Sequence, residues 1–177
     1  MSTHYVIIPG YAGSGETHWQ SYFERNLPNS TRIQPESWEQ PTCDNWVEAI
    51  QKEVSKFPAE TVVLISHSLG CIALSFWARK YTTKIKGAMI VAPPDIENPW
   101  QDYGFETFLP IPKDKLPFPS FIIASTNDHW ATVERTKEFA NNWGCPLTFI
   151  GDAGHISAGS GHGDWKEGLE MLHQNFN

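Results

Sequence analysis

A chain of 177 residues, 40% of them hydrophobic and 13% aromatic, can bury one sizeable core but is short for two, so a single domain over 1–177 is expected. A formal charge of -7 with no run of Lys and Arg argues against nucleic acid or an anionic membrane surface as partner, because both repel an acidic protein. Three widely separated cysteines, Cys43, Cys71 and Cys145, suit reduced core thiols better than a disulfide framework or a zinc site.

The start, MSTHYVIIPG, has no basic segment followed by a long apolar stretch. Neither a signal peptide nor a membrane span is therefore expected, and a cytoplasmic location fits. HYVIIPG reads as a strand, THWQSYFERNL as a helix and STRIQPE as a short second strand. In CDNWVEAIQKEVSKF the apolar residues Trp46, Ile50, Val54 and Phe57 recur at spacings of three and four, which predicts an amphipathic helix. TVVLIS is an aliphatic run that meets small polar residues at once, the mark of a buried parallel strand ending in a sharp turn, and CIALSFWARKY continues it as a helix. IKGAMIVAPP and SFIIAST are the fourth and fifth strands, TVERTKEFANNW a helix, PLTFIG a sixth strand and DWKEGLEMLHQNF a closing helix. Between the fourth and fifth strands, PPDIENPWQDYGFETFLPIPKDKLPFP holds seven of the thirteen prolines and no helical period. It is expected to be an irregular excursion over the sheet's edge, with Trp100, Tyr103, Phe105 and Phe108 walling a small pocket. The alternation of strand and helix predicts a compact α/β fold, a mostly parallel six-stranded sheet with helices on both faces and no large cap.

Open parallel sheets bind ligands at the carboxyl ends of their strands. Four such ends are rich in polar residues: PGYAGSG, SHSLG, STNDHW and GDAGHISAGSGHG. They place a serine, an aspartate and a histidine beyond different strands in the chain order used by α/β-hydrolases. A nucleophilic serine needs exposure beside a general base, which a tight strand-to-helix elbow provides only where the residues two before and two after are small. Ser68 has Ser66 and Gly70 at those places, whereas Ser66 has Leu64. Ser68 is therefore the expected nucleophile, with a plain serine N-cap as the bland alternative. His155, in a glycine-rich loop after the sixth strand, is the expected base, with His162 as rival. Asp128 is the expected orienting acid, competing with Asp152 and with a simple capping role ahead of the helix. For the oxyanion, the backbone N–H of Leu69 is one expected donor; the other is Tyr11, with Ala12 next, in the loop after the first strand. That loop lacks both the Gly-Lys-Ser/Thr ending of a P-loop and the Gly-x-Gly-x-x-Gly of a dinucleotide fold, so a nucleotide site is not expected.

The segments HYVIIPGYAGSGETHWQSYFE, LISHSLGC, STNDHW and GDAGHISAGSGHGDWKEG together resemble the small α/β-hydrolases of the retinoblastoma-binding-protein-nine-like serine hydrolase family, particularly its bacterial members. The resemblance implies Ser68, Asp128 and His155 as the triad. It also implies a trimmed sheet that begins at the third strand of the full hydrolase fold, and serine hydrolase activity often seen as esterase activity on simple esters. It does not extend to a retinoblastoma-type partner, since Leu-x-Cys-x-Glu is absent from the sequence. Two function classes follow: a metal-independent, cofactor-free hydrolase of small acyl substrates, and a protein-interaction module on a hydrolase scaffold. The eight tryptophans favour the second only where exposed; Trp46 and Trp77 fall on apolar helix faces and are expected in the core, while Trp100 and Trp130 are expected nearer the site.

Overall fold

The computed structural model describes residues 2–98 and 103–176. Its elements are β1 (His4–Ile8), α1 (Trp19–Asn26), β2 (Ser30–Arg32), α2 (Cys43–Val54), β3 (Val62–His67), α3 (Leu69–Tyr81), β4 (Gly87–Val91), β5 (Ser120–Ala124), α4 (Val133–Trp143), β6 (Leu147–Phe149) and α5 (Lys166–Phe176), with three short 3-10 turns. The six strands form one open sheet in the order β2-β1-β3-β4-β5-β6, and each pairing is parallel.

The strand residues alternate between two apolar layers, as a pleated strand buried on both sides requires. Val6, Ile8, Leu64, Ile90 and Ile122 face α2, α3 and α4, where Trp46, Trp77 and Trp143 are fully buried. Tyr5, Ile7, Ile65, Met89 and Ile123 face α1 and α5, against Trp19, Phe23, Leu172 and Phe176. All three cysteines are free and buried, and burial foremost pushes each thiol up to about 12. They are therefore protonated core residues and not nucleophiles. Among the described residues, no helix is long and apolar enough to cross a membrane.

The proline-rich connection departs from expectation. Its described residues do not run over the sheet's edge, and β4 and β5 are adjacent interior strands. Phe105, Phe108, Ile111, Leu116 and Phe118 instead extend the core layer beside α2. Thr107 Oγ1 accepts the Cys43 N–H at 3.0 Å, and the Phe108 ring meets Trp46 edge-on at 5.8 Å. Phe108 is thus a core residue and not a pocket wall. A segment can bury apolar side chains at irregular spacing without a helix, so the missing period says nothing about depth. Its start is tied to α4, since the Arg135 guanidinium of that helix reaches Asp95 and Glu97 and is also held by Glu138 of the same helix. The expected pocket residue Trp100 lies outside the described residues.

Candidate active site

Ser68 stands between the last residue of β3 and the first turn of α3, with φ 54 and ψ -129. A non-glycine residue in this conformation costs about 1–3 kcal/mol and persists only where its surroundings over-determine it. Here the Ser68 N–H donates to the Val91 carbonyl at 3.1 Å, and its own carbonyl accepts from Cys71 at 2.8 Å. The neighbours must be small for a measurable reason. A Cβ on Gly70 would lie 2.5 Å from the carbonyl oxygens of Ile8 and Pro9, and one on Gly10 would lie 2.8 Å from the Ser68 Cβ. The Ser68 side chain makes no capping bond to α3. Its Oγ points instead at His155 Nε2, 2.7 Å away. Ser66, the other serine, is fully buried, with its hydroxyl against Cys71 Sγ and the Met89 carbonyl.

His155 comes from the loop after β6, and its Nδ1 lies 2.8 and 3.0 Å from the two carboxylate oxygens of Asp128. Asp128 follows β5, and its Oδ1 also accepts the Trp130 N–H at 2.9 Å. The cap of α4 is Thr132, which accepts the Arg135 N–H, so Asp128 is not used as a helix cap. The rival groups lie elsewhere. Asp152 accepts from Thr126 at 2.6 Å, and His162 stacks edge-on against Trp165 in a separate cavity with Asp164 and Glu167. The structure therefore brings Ser68, His155 and Asp128 into one hydrogen-bonded chain and leaves His162 and Asp152 out of it.

The cavity above Ser68 has a volume of about 200 Å³ and is lined by Gly10, Tyr11, Gly13, His18, His67, Trp130, His155 and Ser157. In the loop after β1, the Ala12 N–H is committed to the Trp38 carbonyl at 3.0 Å. Tyr11 flanks the cavity and is half-exposed; its ring meets Phe105, which stacks on Tyr103, which in turn contacts Trp130.

Three residues in or beside the site were given no role by the sequence. Gln20 reads as the polar side of a helix, yet it is fully buried: its Nε2 donates to the carbonyls of Ile8 and Ile65, both at 3.1 Å, and its Oε1 accepts from Ser14. It joins the ends of β1 and β3 beneath the Tyr11 loop. His18 caps α1 by accepting the Gln20 N–H. His67 reads as a spacer between the two serines, but its ring lies in the cavity wall beside His18 and His155. A histidine as the last residue of an otherwise aliphatic, buried strand, one position beyond Ser66, was the available signal.

Burial, reinforced by Arg32, lowers the His18 pKa from 6.5 to about 4, and burial holds His67 well below the usual histidine range. Both rings are neutral in the folded protein near neutrality. The unfolded chain takes up these protons first as the pH falls, so between about 6.5 and 4 it binds more of them than the folded chain, and stability decreases through that window. For His18 alone the loss by pH 4 is about 3 kcal/mol. The urea midpoint is expected to drop between pH 7 and pH 4.5, and His18→Asn, which keeps a capping acceptor, is expected to make that drop shallower. An unchanged slope in this variant would mean that His18 does not titrate in this way.

The comparisons with known proteins bear on the fold and the family. A family profile described as Serine hydrolase matches residues 5–174. A protein described as a YdeN-like hydrolase from Pectobacterium atrosepticum is 34% identical, with a TM-score of 0.86 over 98% of this chain and 90% of that one. The ydeN gene product from B. subtilis is 19% identical with a TM-score of 0.86 over 99% of both chains, and the type II thioesterase BorB is 14% identical with a TM-score of 0.66 over 99% of this chain and 92% of that one; at these identities they share the fold. No curated protein gave a match. A parallel six-stranded sheet of this order, a profile that spans almost the whole sequence and a 34% identical relative give one assignment: the chain belongs to the serine hydrolase family, on an α/β-hydrolase fold.

Proposed function

We propose that this chain, as one cytoplasmic domain of the retinoblastoma-binding-protein-nine-like branch, is a carboxylesterase-like hydrolase that cleaves small uncharged esters or related acyl substrates through an acyl-enzyme on Ser68. The observation that carries this reading is the chain from Ser68 Oγ to His155 Nε2 at 2.7 Å and from His155 Nδ1 to Asp128 at 2.8 Å. Asp128 holds the Nδ1–H tautomer, which leaves Nε2 as an acceptor for the serine proton. Ser68 Oγ attacks the acyl carbon, its proton passes to His155, and the tetrahedral oxyanion takes hydrogen bonds from the N–H groups of Leu69 and Tyr11. Tyr11 is favoured over Ala12 because the Ala12 N–H already serves Trp38. His155 then protonates the departing alcohol, and water, deprotonated by the same histidine, releases the acid. These steps call on no group beyond the named residues and water.

The cavity lining explains the proposed substrate. Among the described residues its lining contains no Lys, Arg, Asp or Glu, and its two extra histidines are neutral, so these residues offer no charge to pair with a charged acyl group. At about 200 Å³ it is smaller than pockets that enclose drug-sized ligands, which start at about 300 Å³. Burying an acyl chain contributes about 0.8 kcal/mol per methylene only while wall remains to cover it. On p-nitrophenyl esters, kcat/KM is expected to be highest for acetate and butyrate and to fall for palmitate; a preference for palmitate would show that a longer apolar surface forms. An interaction module would place its exposed apolar residues away from the site. Of the three exposed large hydrophobics among the described residues, Tyr11 lines the cavity and Tyr103 contacts Trp130 at its rim, which favours the enzyme. A fluorophosphonate probe is expected to label the folded protein, and failure to label would remove this reading.

A further inference from the structure

His67 is the one ring of the cavity wall that closes β3 immediately before Ser68. It is buried, and its Nε2 lies 2.9 Å from the backbone carbonyl of His155. A carbonyl oxygen only accepts, so this contact requires the proton on Nε2. The ring is enclosed by His18 at 4.8 Å, His155 at 5.1 Å and Trp19 at 5.8 Å between centroids. Burial, with His155 and His18 next in effect, keeps it neutral, so it carries a single proton to place.

We propose that His67 is a positioning residue for hydrolysis: with its proton on Nε2 it holds the His155 main chain, so that the consecutive residues His67 and Ser68 grip the base at its carbonyl and at its ring. The proposal rests on the reading of Ser68 and His155 as nucleophile and base. The His155 loop needs such a hold, because Ile156 sits at φ 46, a conformation unfavourable for a β-branched residue. Trp19 Nε1 donates to the Ile156 carbonyl at 2.8 Å, so two ring N–H groups catch successive carbonyls of the loop. Removing the His67 donor leaves the Trp19 bond and the bond from Gly154 N–H to Asn127 in place. The loop stays folded, but the main chain of His155 is freed beside Ser68, and a displacement of about 1 Å there costs about 100-fold in rate.

Steady-state and single-turnover hydrolysis of p-nitrophenyl acetate by His67→Leu and His67→Gln tests this. Leucine fills much of the volume without a donor; glutamine restores an N–H at similar reach. The expected result is a kcat about 10- to 100-fold lower in His67→Leu with KM changed less than about 2-fold, and recovery of most of kcat in His67→Gln. A raised KM with unchanged kcat would make His67 a pocket wall only, and equal loss in both variants would remove the hydrogen bond from the account. The wild-type protein supplies a reading that does not depend on either variant folding: nitrogen-15 spectra of the imidazoles at pH 7 are expected to show His67 as the Nε2–H tautomer, and the Nδ1–H tautomer would overturn the proposal. That spectrum is read in the resting protein, so it separates failure of this role from failure of the esterase reading, which would appear as hydrolysis surviving in Ser68→Ala.

Discussion

Ser68→Ala is expected to lower kcat for ester hydrolysis by about five to six orders of magnitude while the protein stays folded with an unchanged unfolding midpoint. The size follows from the chemistry, since the acyl-enzyme path needs the Oγ that lies 2.7 Å from His155 Nε2 and no other hydroxyl lies on that nitrogen. The fold should tolerate the change, because the strained backbone at φ 54 is held by the bonds of its own N–H and carbonyl, which alanine retains. Ser66→Ala is the control. Its hydroxyl is sealed between Cys71 and the Met89 carbonyl and faces no cavity, so its loss should cost at most about 1 kcal/mol of stability and leave kcat within a few-fold. Loss of activity in Ser66→Ala with retention in Ser68→Ala would reverse the assignment.

The second large effect belongs to the base and its orienter. His155→Ala should approach the loss of Ser68→Ala, because the two act as a unit. Asp128→Asn should lower kcat by about four orders of magnitude without unfolding the chain. The reason is geometric: Oδ1 accepts the Trp130 N–H, so an amide at this position keeps its oxygen there and turns its NH2 toward His155 Nδ1. That donor forces the proton of His155 onto Nε2, which can then no longer accept from Ser68. His162→Ala should leave kcat near the wild-type value, since His162 lines a different cavity. Hydrolysis rates of the three variants, with circular dichroism to confirm folding, check this. Activity kept in His155→Ala and lost in His162→Ala would transfer the base to His162.

The sequence was most legible where local rules decide. Trp46, Ile50 and Val54 show the helical spacing and are buried, with α2 ending at Val54, and the aliphatic run of β3 is buried throughout. The proposal of Ser68 over Ser66 rests in sequence on the steric rule for a tight elbow, and the structure shows the close approach behind that rule, Gly70 against the Ile8 and Pro9 carbonyls. What stayed hidden depends on contacts distant in sequence. His67 meets the carbonyl of a residue 88 positions later, and Gln20 is buried by the ends of two strands. The proposal of Tyr11 over Ala12 as oxyanion donor rests on the Trp38 carbonyl that holds the Ala12 N–H, a contact that no local pattern predicts. Phe105 and Phe108 carried no period, so their burial beside α2 could not be read from spacing.

The central claim is that Ser68 forms the covalent intermediate, and the most direct test is to locate a covalent adduct. Wild-type protein would be treated with a fluorophosphonate, digested, and the peptide carrying both Ser66 and Ser68 fragmented in a mass spectrometer. The account predicts one adduct per chain, on Ser68, and none on this peptide in His155→Ala over the same exposure. An adduct on Ser66, or a folded wild-type protein that takes up no label, would contradict it.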